Sequence, residues 1–277
     1  MGNLAGSSAT PFASGFQVGR VNVNRNVLRT DLAVPLTQTI SLLGSYATGF
    51  IRYGTSEVLQ AGVLINSTYQ SYTGGLSLKA SPQDLLTVHA VNTDCNFSAQ
   101  AAGSFTTRGV TVGWEHTLTP FVTLQAQAGA TVLQRDLVGT STASLVAPIG
   151  HLALLWKDRT TALTLAYDLG VSPSFQFQAQ ALRTHVVSVT LTQQTAIPEL
   201  LAVANVNYGR GDQFGSSSGA GLSYATVMGT GGVVYKFSPE TFLGLHYSYA
   251  NVDNQFNGNT FAFDRQVVQL SLTQAFY

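Results

Sequence analysis

The stretch "FLGLHYSYA", residues 242–250, decides the fold. Taken two at a time, Leu243, Leu245, Tyr247 and Tyr249 fall on one side, and Gly244, His246, Ser248 and Ala250 on the other. Side chains alternate across a strand, so this is a β-strand with an oily face and a polar face. In a soluble sheet the oily face turns inward. In a membrane barrel the oily face turns outward, to lipid.

The same alternation recurs along the chain. "VTLQAQAGATV" (122–132) sets Val122, Leu124, Ala126, Ala128, Ala130 and Val132 against Thr123, Gln125, Gln127, Gly129 and Thr131. "TALTLAYDL" (161–169), "VTVGWEHTL" (110–118) and "SVTLT" (188–192) behave alike. "LLAVANVNY" (200–208) is noisier, and the glycines of "LSYATVMGTGGVVYKF" (222–237) suggest bulges or kinks there. No segment has a convincing helical period.

Short turns punctuate these strands at Pro35, Pro82, Pro120, Pro198 and Pro239, with "KDRT" (157–160) completing the series without proline. From Pro82 onward they recur about every 40 residues, an internal repeat. Midway between them lie longer polar connections: "NTDCNFSAQAAG" (92–103), "QRDLVGTSTAS" (134–144), "GVSPSFQFQAQ" (170–180), "GRGDQFGSSSGAG" (209–221) and "NVDNQFNGNT" (251–260). Each unit is therefore a hairpin. One end of the fold has tight turns and the other has long loops.

Composition chooses the orientation. Only 9% of the 277 residues are charged, against about 25% in soluble domains. Such a chain cannot coat itself with charge. Zero net charge and unclustered basic residues give no electrostatic footprint for nucleic acid. The lone Cys95 excludes an internal disulfide. Aromatics gather at both strand ends. Trp114, Phe121, Trp156, Phe237 and Phe242 lie near the short turns, and Tyr167, Tyr208, Tyr247 and Tyr249 near the long loops, as do Phe50 and Tyr53. Two aromatic bands around a Leu/Val/Ala middle match the girdles of a membrane barrel. A soluble sandwich accounts for the alternation but not for the low charge, the alternating turn lengths or the two bands. The expectation is a closed, antiparallel, transmembrane β-barrel, with short periplasmic turns and long extracellular loops.

Residues 1–15 read as a flexible segment and 16–277 as one barrel domain. "FQVGRVNV" (16–23) and "VLRTDLAV" (27–34) flank "NRN", read as a tight turn, which gives 14 strands; without that hairpin there are 12. A long loop is expected over 53–72. The N-terminus shows no basic region followed by an apolar one. The expectation is a bacterial outer-membrane protein whose export signal is absent from this sequence, with Met1 a replacement start. No transmembrane helix is encoded, since no apolar run reaches about 18 residues.

"DRQVVQLSLTQAFY" (264–277) carries Val268, Leu270, Leu272 and Phe276 on one parity and resembles the terminal strand, and assembly signal, of bacterial outer-membrane barrels. Gln274 and the extra Tyr277 depart from that pattern. The hairpin "YSYANVDNQFNGNTFAFDRQVVQLSLTQAF" and the repeated Ser/Thr-Pro turn resemble beta-barrel porin type proteins found near exopolysaccharide-export and exosortase loci. The resemblance implies an outer-membrane channel or export conduit. It also implies outer-membrane lipid, lipopolysaccharide and the barrel-assembly machinery as partners.

Lumen-parity charges are the candidates for pore lining: Asp31, Lys79, His89, Glu115, Asp168, Lys236 and His246. In a narrow pore, charged side chains set ion preference. Three functions are weighed: a channel for small solutes or polymer, a scaffold barrel housing a lumenal or periplasmic protein, and a lipid hydrolase. The last would use His246 and Ser248, oriented by Asp253 or Asp264. "GSSSG" (215–219) matches a nucleophile elbow but sits in a loop, without the required helix. "DNQFNGN" (253–259) lacks the spacing of a calcium loop. No catalytic set, cofactor or metal is assigned.

Overall fold

The computed structural model describes residues 23–53, 66–97, 104–136, 143–173, 181–214, 223–238, 240–256 and 259–274. They form thirteen strands: β1 (Val23–Pro35), β2 (Ile40–Tyr53), β3 (Ser67–Lys79), β4 (Asp84–Phe97), β5 (Ser104–Thr119), β6 (Val122–Asp136), β7 (Ala143–Lys157), β8 (Thr161–Pro173), β9 (Ala181–Gln194), β10 (Leu200–Phe214), β11 (Ser223–Lys236), β12 (Thr241–Phe256) and β13 (Asn259–Gln274). They make one sheet in sequence order, each strand antiparallel to the next. This is an up-and-down meander, the strand order that outer-membrane barrels share.

The short turns share one device. At the start of each, a side-chain oxygen accepts backbone N–H groups two or three residues on. Thr37 Oγ1 accepts from Thr39 and Ile40, and Ser81 Oγ from Gln83 and Asp84. Asp158 Oδ1 accepts from Thr160 and Thr161, and Ser238 Oγ from Glu240 and Thr241. Thr119 and Thr195 each capture the amide two residues on. Proline after Ser81 and Thr119 presets the backbone for the same bend. "KDRT" bends without proline because the Asp158 carboxylate accepts both amides.

Burial answers the opening question. Leu245, Tyr247 and Tyr249 are exposed, while Gly244 is buried. The pattern holds around the sheet: Leu32, Leu76, Val112, Leu152, Leu165, Val206 and Leu270 are all exposed on the same outer face. Thr111, Thr131 and Ala166, on the inner parity, are buried. A soluble sheet would do the reverse.

Several expectations are corrected. "NRN" is not a turn: Asn24–Asn26 lie inside β1, paired with Arg52, Ile51 and Phe50 of β2. Those β2 backbone groups need ladder partners, and a turn at 24–26 would withdraw them. The described residues thus hold thirteen strands rather than 14 or 12, and 16–22 lie outside them. The glycines of 222–237 cause no bulge, since the register runs unbroken from Ser223 to Lys236. The irregularity lies instead between Thr117 and Thr119. The strands also run further into the expected loops: β4 continues to Phe97, β8 to Pro173, β10 to Phe214 and β12 to Phe256, and β3 begins at Ser67. Strands here span 13 to 16 residues, where crossing a bilayer takes about 9–11. The surplus stands on the loop side, where outward residues such as Asn92, Asp94, Asn251 and Asp253 turn polar and the alternation fades.

Candidate functional site

The inner face is the candidate site, and the ladder register assigns each residue to it. On that face hydroxyls and amides bond across neighbouring strands. Ser71 and Thr93 hydroxyls lie 2.8 Å apart, and Thr230 and Ser248 hydroxyls 3.0 Å. Gln127 Nε2 donates to Thr111 Oγ1 at 2.6 Å, and Asn205 Nδ2 to Thr190 Oγ1 at 2.7 Å. Asn207 donates in turn to Asn205. These pairs span much of the wall with neutral, hydrogen-bonding groups.

The charged candidates occupy this wall as follows. Asp31 is bound by Arg29 of the same strand at 2.9 Å. Glu115 accepts from Gln125 Nε2 at 2.7 Å. Asp168 Oδ1 lies 2.7 Å from His151 Nδ1 on β7. Lys79 and Lys236 stand exposed at the short-turn ends of β3 and β11. His89 faces Gly75 across the β3–β4 ladder, and His246 faces Gly232 across β11–β12. A Cβ at Gly75 would come within 2.6 Å of His89 Nδ1, and one at Gly232 within 2.5 Å of His246 Nδ1. Glycine is required at both places so that an imidazole can lie against the wall. The acids and histidines do not converge on one point. Among the described residues no group of three His, Cys, Asp or Glu side chains is placed to hold a metal ion.

Sequence reading overlooked three of these partners. Arg29 and Gln125 share inner parity with the charges they bind. His151 was hidden inside "LVAPIGHLALLW", although outward Leu152, Leu154 and Trp156 place it inward.

The candidate hydrolase set separates. His246 and Ser248 share the inner face, and Ser248 is paired with Thr230. Asp253 and Asp264 lie on the opposite face, where Asp264 accepts from Tyr249 Oη and Asn251 Nδ2 at 2.9 and 2.8 Å. Neither carboxylate can orient His246. "GSSSG" (215–219) lies outside the described residues.

On the outer face, Trp114, Trp156 and Phe237 are exposed near the short turns, and Phe121 is exposed within the turn before β6. Trp114 Nε1 donates to Asp84 Oδ1 at 2.9 Å. Tyr167, Tyr208, Tyr247 and Tyr249 are exposed on the same face, but near the middle of their strands rather than beside the loops, because the strands run on past them. Tyr167 Oη lies 2.8 Å from His185 Nδ1. Phe242 is corrected: it pairs with Lys236 on the inner parity, so it is no part of the outer band. Adjacency to the turn suggested the girdle, but strand parity decides the face. Val268, Leu270 and Leu272 are exposed on β13, and Phe276 lies outside the described residues.

The inner face also carries a feature that alternation did not reveal. Ile51, Tyr69, Cys95, Phe105, Leu133, Ala147, Leu182, Tyr224 and Val252 are all buried. Each lies on the inner parity, within four residues of the loop-side end of its strand. Nine of the twelve buried apolar residues among those described thus gather on the inner wall near the loops, with Leu43, Ala153 and Ala166 elsewhere on it.

No protein-family model matches the sequence, and no curated protein is similar to it. Similarity appears among solved structures. The FrpB iron transporter from Neisseria meningitidis (F5-1 variant) superposes with a TM-score of 0.57 at 9% identity, over 82% of this chain and 44% of that one. This chain thus spans less than half the length of FrpB. OmpT of Vibrio cholerae, described as outer-membrane expressed, gives 0.47 at 11% identity, covering 94% of this chain and 99% of that one. The CymD monoaromatic hydrocarbon channel gives 0.41 at 13%, covering 93% and 88%. At such identities the likeness to FrpB is one of fold.

Proposed function

We propose that this protein is an outer-membrane channel for small solutes. One observation carries the reading: an apolar outer face exposed all round a sheet whose inner face is a ladder of hydroxyls, amides and a few paired charges. Hydrocarbon accepts such an outer face and water does not. In lipid every backbone polar group needs a partner, which a meander supplies once its first and last strands close on each other. A wall of neutral hydrogen-bonding groups solvates a passing solute without trapping it. Outer-membrane lipid and lipopolysaccharide are then the natural surroundings, and the barrel-assembly machinery the route of insertion. Resemblance of the last hairpin to porin-type barrels near exopolysaccharide-export loci supports instead a conduit for polymer, a separate form of channel.

The alternative is a scaffold barrel housing a lumenal or periplasmic protein, for which the hydrogen-bonding groups of the inner wall would serve as the contact surface. The two readings separate in proteoliposomes. Flux of small solutes that the bilayer itself holds back is measured over a range of size and polarity. A channel passes at least one class faster than protein-free vesicles do. Flux equal to the protein-free control for every solute, with the barrel folded by heat-modifiability on a gel, would sink the channel reading.

A further inference from the structure

The apolar residues inside the loop-side end form a collar. They come from nine strands, β2 to β7, β9, β11 and β12. Tyr69, Cys95, Phe105 and Leu133 pack together as one cluster, with Ala47, Phe97 and Leu145 against it. Tyr69 and Cys95 are register partners, as are Cys95 and Phe105, so the cluster follows the ladder around the wall.

The tyrosines show how the collar is built. Tyr69 lies over Gly49 of β2, where a Cβ would approach its ring to 2.5 Å. Tyr224 lies over Gly211 of β10 in the same way. Each ring thus has one face against glycine backbone. A ring paving a water-filled pore would keep its other face wet. Instead Tyr69 is 3% exposed, Phe105 1% and Leu133 0%. Their second faces are covered as well, so water does not wet the wall at this level. Ser67 and Asn254 are polar residues buried with the collar; the charged candidates lie elsewhere on the wall.

We infer that this collar is a hydrophobic constriction, one that bars ions and hydrated solutes and yields only to small solutes with apolar surface. The inference rests on the channel reading and names the class of molecule the channel selects. An ion crossing an apolar ring leaves its hydration shell with nothing to replace it. A small apolar molecule loses nothing there and exchanges contacts with Tyr69, Phe105 and Leu133.

The test uses the full chain in planar bilayers, with Phe105→Ser and Leu133→Ser compared with wild type. Wild type is expected to carry almost no ionic current, and the polar variants to raise conductance about tenfold or more. A stable ohmic current through wild type overturns the constriction and leaves the channel reading intact. Silence in wild type and in both variants, with all three heat-modifiable, overturns it too, because the block then lies elsewhere.

Discussion

At the scale of single residues, the turn oxygens set where each hairpin reverses. Asp158 differs from Thr37, Ser81 and Ser238 because it is charged. The backbone N–H of Thr160, with that of Thr161, holds its carboxyl below the usual carboxylate range. A depressed folded value means that the stabilisation is complete above the unfolded value, about pH 4, and is lost as pH falls through the folded value. Amide protection at Thr160 and Thr161, corrected for intrinsic exchange, is therefore expected to hold at pH 5 and fade towards pH 2. The Glu240 and Thr241 amides, held by a hydroxyl, are expected to stay protected. Asp158→Asn keeps an acceptor and should abolish the pH dependence; an unchanged profile in that variant would refute the assignment.

At the scale of the strand, two faces meet two solvents. Leu152 sits on β7 midway along the outward row from Trp156 to Val146, where hydrocarbon is deepest. Leu152→Arg is expected to destabilise folding by about 2–4 kcal/mol, measured by urea titration in lipid vesicles. Thr164→Arg, on the inner face of β8, should cost far less because its charge meets the lumen. Equal costs would show that the two faces are not differently solvated. The alternation that defines these faces was legible in "FLGLHYSYA" and "VTLQAQAGATV" because a two-residue period survives wherever the surroundings differ across the strand. It was not legible in "GRGDQF" or "NTDCNF". There both faces are polar or mixed, so strand and loop look alike until pairing is seen. "NRN" was misread for the same reason.

At the scale of the whole molecule, thirteen alternating strands leave β1 and β13 both running towards the short-turn end. Each has one ladder neighbour among the described residues. On β13, Val268, Leu270 and Leu272 reach 71% exposure. This much apolar surface needs an amphiphile. The purified chain is expected to aggregate in plain buffer and to migrate as a heat-modifiable species in detergent. A monodisperse solution without detergent, followed by light scattering, would overturn the membrane orientation. The candidate site was partly legible at this scale. Parity alone puts Asp31, Glu115, Asp168 and His246 on one face. Their partners Arg29 and Gln125 share it, but pairing across strands depends on register.

Sequence by itself determined the strand period, the hairpin repeat, the turn chemistry and the orientation of the oily face. Each is local, or follows from a shortage of charge that no folding can mend. Tertiary structure decided which strands extend past the bilayer, which side chains meet across the ladder, and that buried apolar side chains gather on the inner wall near the loops. Those depend on register: a shift of one residue would reverse every face, and Tyr69, Cys95 and Phe105 become neighbours only once three strands lie side by side.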